Sequence, residues 1–135
     1  MDADLARKLL DVLIDNASRI LLAGFGVNWT ESTFFDVVRL LRHEASLKSY
    51  FLDRTRETLA LPDPGRLDAG TVPPELIELV AHEFRWPEFL QLASERVDNL
   101  FGGDTRLAVG DIASRLPEAF DDAWRDREFY ERYMC

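Results

Sequence analysis

Apolar residues recur at helical spacing along most of the chain. From Asp4 to Ala23 they fall at Leu5, Leu9, Val12, Leu13, Ala17 and Ile20, and Leu10, Ile14 and Leu21 widen the stripe. A 3.6-residue period over that length predicts an amphipathic helix with a broad buried face. "GFG" (24–26) stops it, with Gly24 placed as a left-handed cap. A Gly-x-Gly phosphate loop follows a strand. This one follows a helix and is given no nucleotide role. "NWTE" (28–31) has the capping-box pattern, Asn28 at the cap and Glu31 three residues on. A second helix is expected from Glu31 to about Thr58, broken near Ser46, with Phe34, Val37, Val38, Leu41 and Ala45 as its stripe. Strand-like alternation is scarce, and "RILLAGFGV" (19–27) is the one stretch that also reads as a strand.

The segment 61–74, "LPDPGRLDAGTVPP", holds four of the six prolines and two glycines, so it reads as the main linker. Pro74 suits the first turn of a third helix whose face is Leu76, Ile77, Val80 and Phe84. Pro87 is expected to start a fourth, with Phe89, Leu90, Leu92, Ala93 and Val97 apolar, ended by "GGD" (102–104). Asp104 or Thr105 caps a fifth through Leu107, Val109, Ile112 and Leu116, and Pro117 opens a closing helix. The expected fold is all-α: a single domain over 1–135 with five or six helices packed as antiparallel hairpins around one core. Its helices occupy about 4–58 and 74–133, on either side of the 61–74 linker. A variant follows from an internal echo. "VVRLLRHEASLKSYF" (37–51) and "LIELVAHEFRWPEFL" (76–90) align without gaps at an offset of 39, sharing Leu40/Leu79, His43/His82 and Glu44/Glu83. Helical repeats of the HEAT kind have periods near 40 residues, so a short α-solenoid is the alternative architecture.

Composition narrows the function. The chain of 135 residues is 47% hydrophobic and 30% charged, enough for a real core. Net charge is −9 and uneven: eleven acids face nine bases in 1–70, and fourteen face seven in 71–135. Such a balance argues against nucleic acid and anionic membranes, which need clustered Lys and Arg. It fits a basic protein partner, or plain solubility. An acidic start and the lack of a long apolar run point to a cytoplasmic protein. The "NWT" sequon at Asn28 carries no weight in that setting. Cys135 is the one cysteine, so neither an intrachain disulfide nor a cysteine metal cluster can form.

Candidate chemistry is thin. His43 and His82 are each followed by Glu, and two His-Glu pairs from two helices could hold a metal. On a wheel of about 100° per residue, His43 lies opposite its apolar stripe, and His82 sits at an edge, one turn from Trp86. Adjacent side chains diverge, so neither pair converges on an ion. No Gly-x-Ser-x-Gly elbow is present, and a terminal Cys135 is a poor place to preorganise a nucleophile. Neither a catalytic residue, a cofactor site nor a metal site is assigned.

The closing stretch "FDDAWRDREFYERYMC" (120–135) packs acids and arginines among aromatics. Asp121–Arg125, Arg127–Glu131 and Glu128–Arg132 have the i,i+4 spacing of helix-surface pairs. Trp124 is expected to be buried beside Phe120 and Ala123, fixing the last helix to the core. An exposed Trp/Tyr/Arg cluster is instead the composition of an interface hot spot. The candidate partner-binding residues are therefore Trp86, Arg125, Arg127, Glu128, Phe129, Tyr130 and Tyr133. The functional expectation is a non-enzymatic acidic helical protein that binds a basic partner protein, as an inhibitor, immunity or adaptor protein. The alternatives are a metal-dependent hydrolase built on His82 with nearby carboxylates, and a structural homo-oligomer.

Overall fold

The computed structural model of the chain describes residues 1–66 and 70–133. Six α-helices run in order: α1 (Ala3–Leu22), α2 (Val27–His43), α3 (Leu47–Leu59), α4 (Pro74–Phe84), α5 (Glu88–Leu100) and α6 (Ile112–Glu118). Short 3-10 turns follow at Pro64–Arg66, Thr105–Ala108, Arg125–Phe129 and Glu131–Tyr133. No strand occurs among the described residues, and 19–27 is the end of α1, its turn, and the first residue of α2. Cys135 and part of the 61–74 linker lie outside the described residues.

The all-α expectation is met, but α1 is rotated relative to its predicted face. Ala6, Leu10, Ile14 and Ala17 go inward, whereas Leu5, Leu9 and Val12 are exposed. Small Ala6 and Ala17 let α2 approach closely, so the inward face is set by packing fit rather than by the largest side chains. Gly24 takes the left-handed conformation at φ 95°, and its N–H bonds the Leu21 carbonyl to end the helix.

Helix α2 begins at Val27, a turn before the predicted start. Gly26 is its cap, so Asn28 sits inside the first turn and does not cap. Thr30 Oγ1 donates to the Val27 carbonyl instead. The predicted break near Ser46 separates α2 from α3. Two glycines reshape the region after α5. Gly102 and Gly103 end that helix, and Gly110 at φ 85° splits the predicted fifth element. Leu107 and Val109 therefore stay exposed, and α6 starts later, with Asp111 capping the Ala113 N–H at 2.9 Å. Pro117 lies within α6 rather than opening a new helix, and the closing stretch is 3-10 turn, not α-helix. The α-helical i,i+4 geometry assumed for its charge pairs is thus absent.

Helices α1 and α2 are antiparallel: the Met1 amine lies 3.7 Å from Glu44 just past the end of α2. Beyond that pair the helices stack in two parallel layers. In one, Asp11 of α1 meets Arg54 of α3 at 2.9 Å, and Lys48 and Arg56 of α3 meet Glu88 and Glu95 of α5 at 2.9 and 3.5 Å. In the other, Arg42 of α2 meets Glu83 of α4 at 3.3 Å, and Glu78 of α4 meets Arg115 of α6 at 3.4 Å. Within the layers the bonded pairs Arg42–Glu83, Arg54–Asp11 and His82–Ala119 are 41, 43 and 37 residues apart. Those separations lie close to the offset of the 39-residue echo. The helices form two layers, α1–α3–α5 and α2–α4–α6, with α1–α2 and α5–α6 closed as antiparallel hairpins.

Helix α4 is the hub. Leu76, Ile77, Leu79, Val80 and Ala81 are all fully buried, because α2, α6 and the closing stretch cover it. The predicted linker is only partly a spacer. Val72 is fully buried and its N–H donates to Thr58 Oγ1 at 2.9 Å, so the chain is sewn back into the core before α4 begins.

Candidate functional site

The seven residues proposed from sequence do not form one exposed surface. Tyr130 is 2% exposed and packs edge-on to Phe35 at 5.8 Å. Trp86 is packed between Phe84 and Phe89, with Lys48 over its ring at 5.5 Å. Arg127 and Tyr133 are half-buried and stacked, the guanidinium 4.1 Å from the ring centre. Only Arg125, Glu128 and Phe129 are exposed. Trp124, expected to be core, is 5% exposed.

What holds this stretch is the "HEF" motif of α4. His82 is buried and stacks on Trp124 with ring centres 4.7 Å apart, not on Trp86 as the wheel suggested. Its Nδ1 lies 2.7 Å from the Ala119 carbonyl, an acceptor only, so Nδ1 carries the proton and donates. Nε2 is then a lone pair, and it accepts from Arg127 Nη1 at 2.7 Å. Burial lowers the His82 pKa, and the Arg127 charge lowers it further against the opposing pull of the Ala119 carbonyl. Glu83 turns the other way. Its carboxylate accepts from Tyr133 Oη and from Arg42 Nη2. The two adjacent side chains diverge, as expected, and each holds one residue of the Arg127–Tyr133 stack. With both ring nitrogens engaged, His82 offers no lone pair to a metal. His43, its counterpart in the echo, is exposed. Among the described residues no group of three His, Cys, Asp or Glu side chains gathers at metal-binding distance.

Glu78, one turn before His82, is the most perturbed acid. It is 3% exposed, and its Oε1 accepts no hydrogen bond. Burial pushes its pKa up to about 7, outweighing the nearby Arg115. It lies under a groove of about 380 Å³ whose walls include Trp124, Arg115, Ser114 and Asp126. A carboxyl poised near neutrality is a catalytic signature. Here the free oxygen is shielded from solvent, and the one hydroxyl named in the wall, Ser114 Oγ, donates to the Asp111 carbonyl at 2.9 Å.

A second open groove lies elsewhere, between α1 and α3. It has a volume of about 560 Å³ and is lined by Asp11, Asp15, Tyr50, Asp53, Arg54, Glu57 and Gly70. The stacking step explains its assembly: Asp11 and Asp15 on α1 come opposite the corresponding turns of α3. Asp11 is neutralised in place, taking the Tyr50 hydroxyl at 2.8 Å and Arg54 Nη1 at 2.9 Å. Arg54 Nη2 goes on to the Gly70 carbonyl at 3.0 Å, so the arginine is committed to the floor. Burial and then the Asp11 bond raise the Tyr50 pKa, keeping its phenol a donor. Asp15 pairs with Arg19 at 3.1 Å on its own helix. Asp53 and Glu57, one turn apart on α3, make no hydrogen bond or ion pair among the described residues. Among the described residues the groove is therefore lined by four carboxylates and one arginine, with two carboxylates unanswered by any of them. At the α1–α2 turn beyond it, Leu22, Phe25 and Trp29 are exposed, the two rings 5.2 Å apart.

Sequence reasoning missed this groove. Asp53 and Glu57 carry a signal of their own, two like charges at i,i+4, but the meeting of α1 with α3 becomes visible only once the layering of the helices is known. No protein-family model, curated protein or solved structure matches the chain.

Proposed function

We propose that the protein is a non-enzymatic binding module whose acidic α1–α3 groove receives a basic segment of a partner protein. The observation that carries this reading is the pair Asp53 and Glu57, without a partner among the described residues, facing an open groove in which Arg54 is already engaged. A Lys- or Arg-rich segment would supply the missing cations. The exposed Leu22, Phe25 and Trp29 offer apolar anchors, the usual complement of charge at an interface. The sequence expectation placed the acidic contact surface in the C-terminal half, where the excess charge lies. The clasp on α4 commits much of that half's aromatic and basic chemistry to the core, which leaves the groove as the better docking place.

The test is titration of a Lys/Arg-rich helical peptide into the full chain at low and high salt, beside Asp53→Asn/Glu57→Gln. We expect binding that weakens steeply with salt, and a loss of roughly tenfold or more in the double variant. Binding unchanged by the double variant, or insensitive to salt, overturns the reading.

A further inference from the structure

Helix α1 shows the solvent an apolar line that no described residue covers. Leu5, Leu9 and Val12 follow i,i+4,i+7 spacing along a flank about 130° round the helix from Ala6, Leu10 and Ile14. Leu5 is 57%, Leu9 38% and Val12 54% exposed. A helix at the end of a stack ordinarily shows the solvent polar residues alone, because it has no neighbour to stack on. This one carries an apolar line along the edge of its polar outer face.

The charges beside that line say what fits it. Along one flank run Asp4, Lys8, Asp15 and Arg19, with signs minus, plus, minus, plus. The spacing is symmetric about the point between residues 11 and 12. Read in the opposite direction the signs become plus, minus, plus, minus. The flank is therefore complementary to itself when two helices lie antiparallel, and repulsive when they lie parallel. We propose that α1 is a self-association surface, on which a second copy of this chain packs its own α1 antiparallel about a two-fold axis near residues 11 and 12.

The geometry is consistent at each level. With a rise of about 1.5 Å per residue, Lys8 of one copy and Asp15 of the other both lie about 5 Å from the axis on the same side. Asp4 and Arg19 likewise share a height, about 11 Å out. Val12 of each copy falls at the centre, flanked by Leu9 of both, with Leu5 further out on either side. A two-fold axis makes every contact occur twice, so a modest pair is doubled. Antiparallel helices joined through an apolar seam with charged flanks follow the pairing logic of coiled coils. The Arg19–Asp15 pair within one helix leaves Arg19 77% exposed on its side chain, free to reach Asp4 of the other copy.

The test is sedimentation equilibrium of the full chain across a concentration series, with circular dichroism confirming that each variant is folded. We expect a monomer–dimer equilibrium, abolished by Leu9→Glu or Val12→Glu. Both sites are exposed, so fold is retained. Lys8→Asp alone and Asp15→Lys alone should each weaken dimerisation by roughly tenfold or more, since each leaves two like-charge contacts. The double exchange Lys8→Asp/Asp15→Lys should restore it. A chain that stays monomeric throughout overturns the proposal, as does a dimer indifferent to Leu9→Glu. Failure of the double exchange to rescue overturns the antiparallel pairing, since a parallel pair would bring residue 8 onto residue 8. The groove reading is tested on Asp53 and Glu57, so either can fail alone.

Discussion

At the scale of single residues, Glu78 sets the sharpest expectation. Its pKa is about 7 in the fold, against 4.5 as the ordinary value. Burial causes the rise, and Arg115 only partly offsets it. Between those two pH values the folded chain keeps a proton that the unfolded chain has released. The stabilising contribution is therefore complete below 4.5 and lost as pH rises through about 7. The full excursion corresponds to about 3 kcal/mol. Gln keeps the shape and cannot ionise. Glu78→Gln should therefore gain about 3 kcal/mol relative to wild type between about pH 4 and pH 8, measured by denaturant melts. His82 runs the other way. Its pKa is lowered, so stability falls as pH drops below 6.5, where the unfolded imidazole takes the proton first. That loss occurs in both proteins and drops out of the difference. An offset constant with pH would mean that Glu78 is already ionised or hydrated in the fold.

At the scale of elements, one arginine joins three of them. Arg96 on α5 is buried, and it grips Asp111 at the start of α6 through two bonds of 2.7 and 2.9 Å. Its Nη1 also donates to the Leu59 and Leu61 carbonyls at 2.6 Å, satisfying the C-terminal end of α3. The helix end, the helix start and the guanidinium fork fit one another in a way Lys cannot reproduce. Arg96→Met should cost about 3–5 kcal/mol, since it strands a partly buried carboxylate and two carbonyls. Arg96→Lys should recover only part of that. Melts of both variants check it, and a Lys variant as stable as wild type would show that charge alone holds the joint. This joint also marks how far the sequence could be read. The helices α1 to α5 were legible from period and from Pro and Gly punctuation. The α2–α3 break and the cap at Gly24 fell where local chemistry put them. What failed were features set across the stack. The inward face of α1 is chosen by fit against α2, and the start of α6 by Asp111 answering Arg96. The closing stretch is 3-10 turn because His82 and Glu83, some 45 and 50 residues upstream, hold Arg127 and Tyr133. The burial of Trp124 was foreseen, but on the strength of a helix that is not there. The echo at offset 39 sets the end of α2 and the start of α3 against α4 and the start of α5.

At the scale of the whole molecule, the stack decides which charges meet and which go unanswered. Net charge is −9, yet several acids are engaged in pairs between successive helices of a layer, such as Glu83 with Arg42 and Glu88 with Lys48. The exceptions along the α1–α3 groove stand against the pattern. Asp53 and Glu57 repel each other across one helical turn, with Asp15 across the groove adding to the field. Like charges at that spacing destabilise a helix by about 0.2–0.5 kcal/mol. Neutralising one should therefore stabilise the fold while it weakens a basic ligand, the trade expected where function sets the charge rather than stability. Glu57→Gln should raise stability by about 0.2–0.5 kcal/mol at low salt. The gain should vanish near 1 M salt, where screening acts within about 3 Å. Thermal melts of wild type and variant across a salt series measure this. A Glu57→Gln protein less stable than wild type at low salt would show that the carboxylate already serves the fold, and would remove the main reason for assigning the groove a partner.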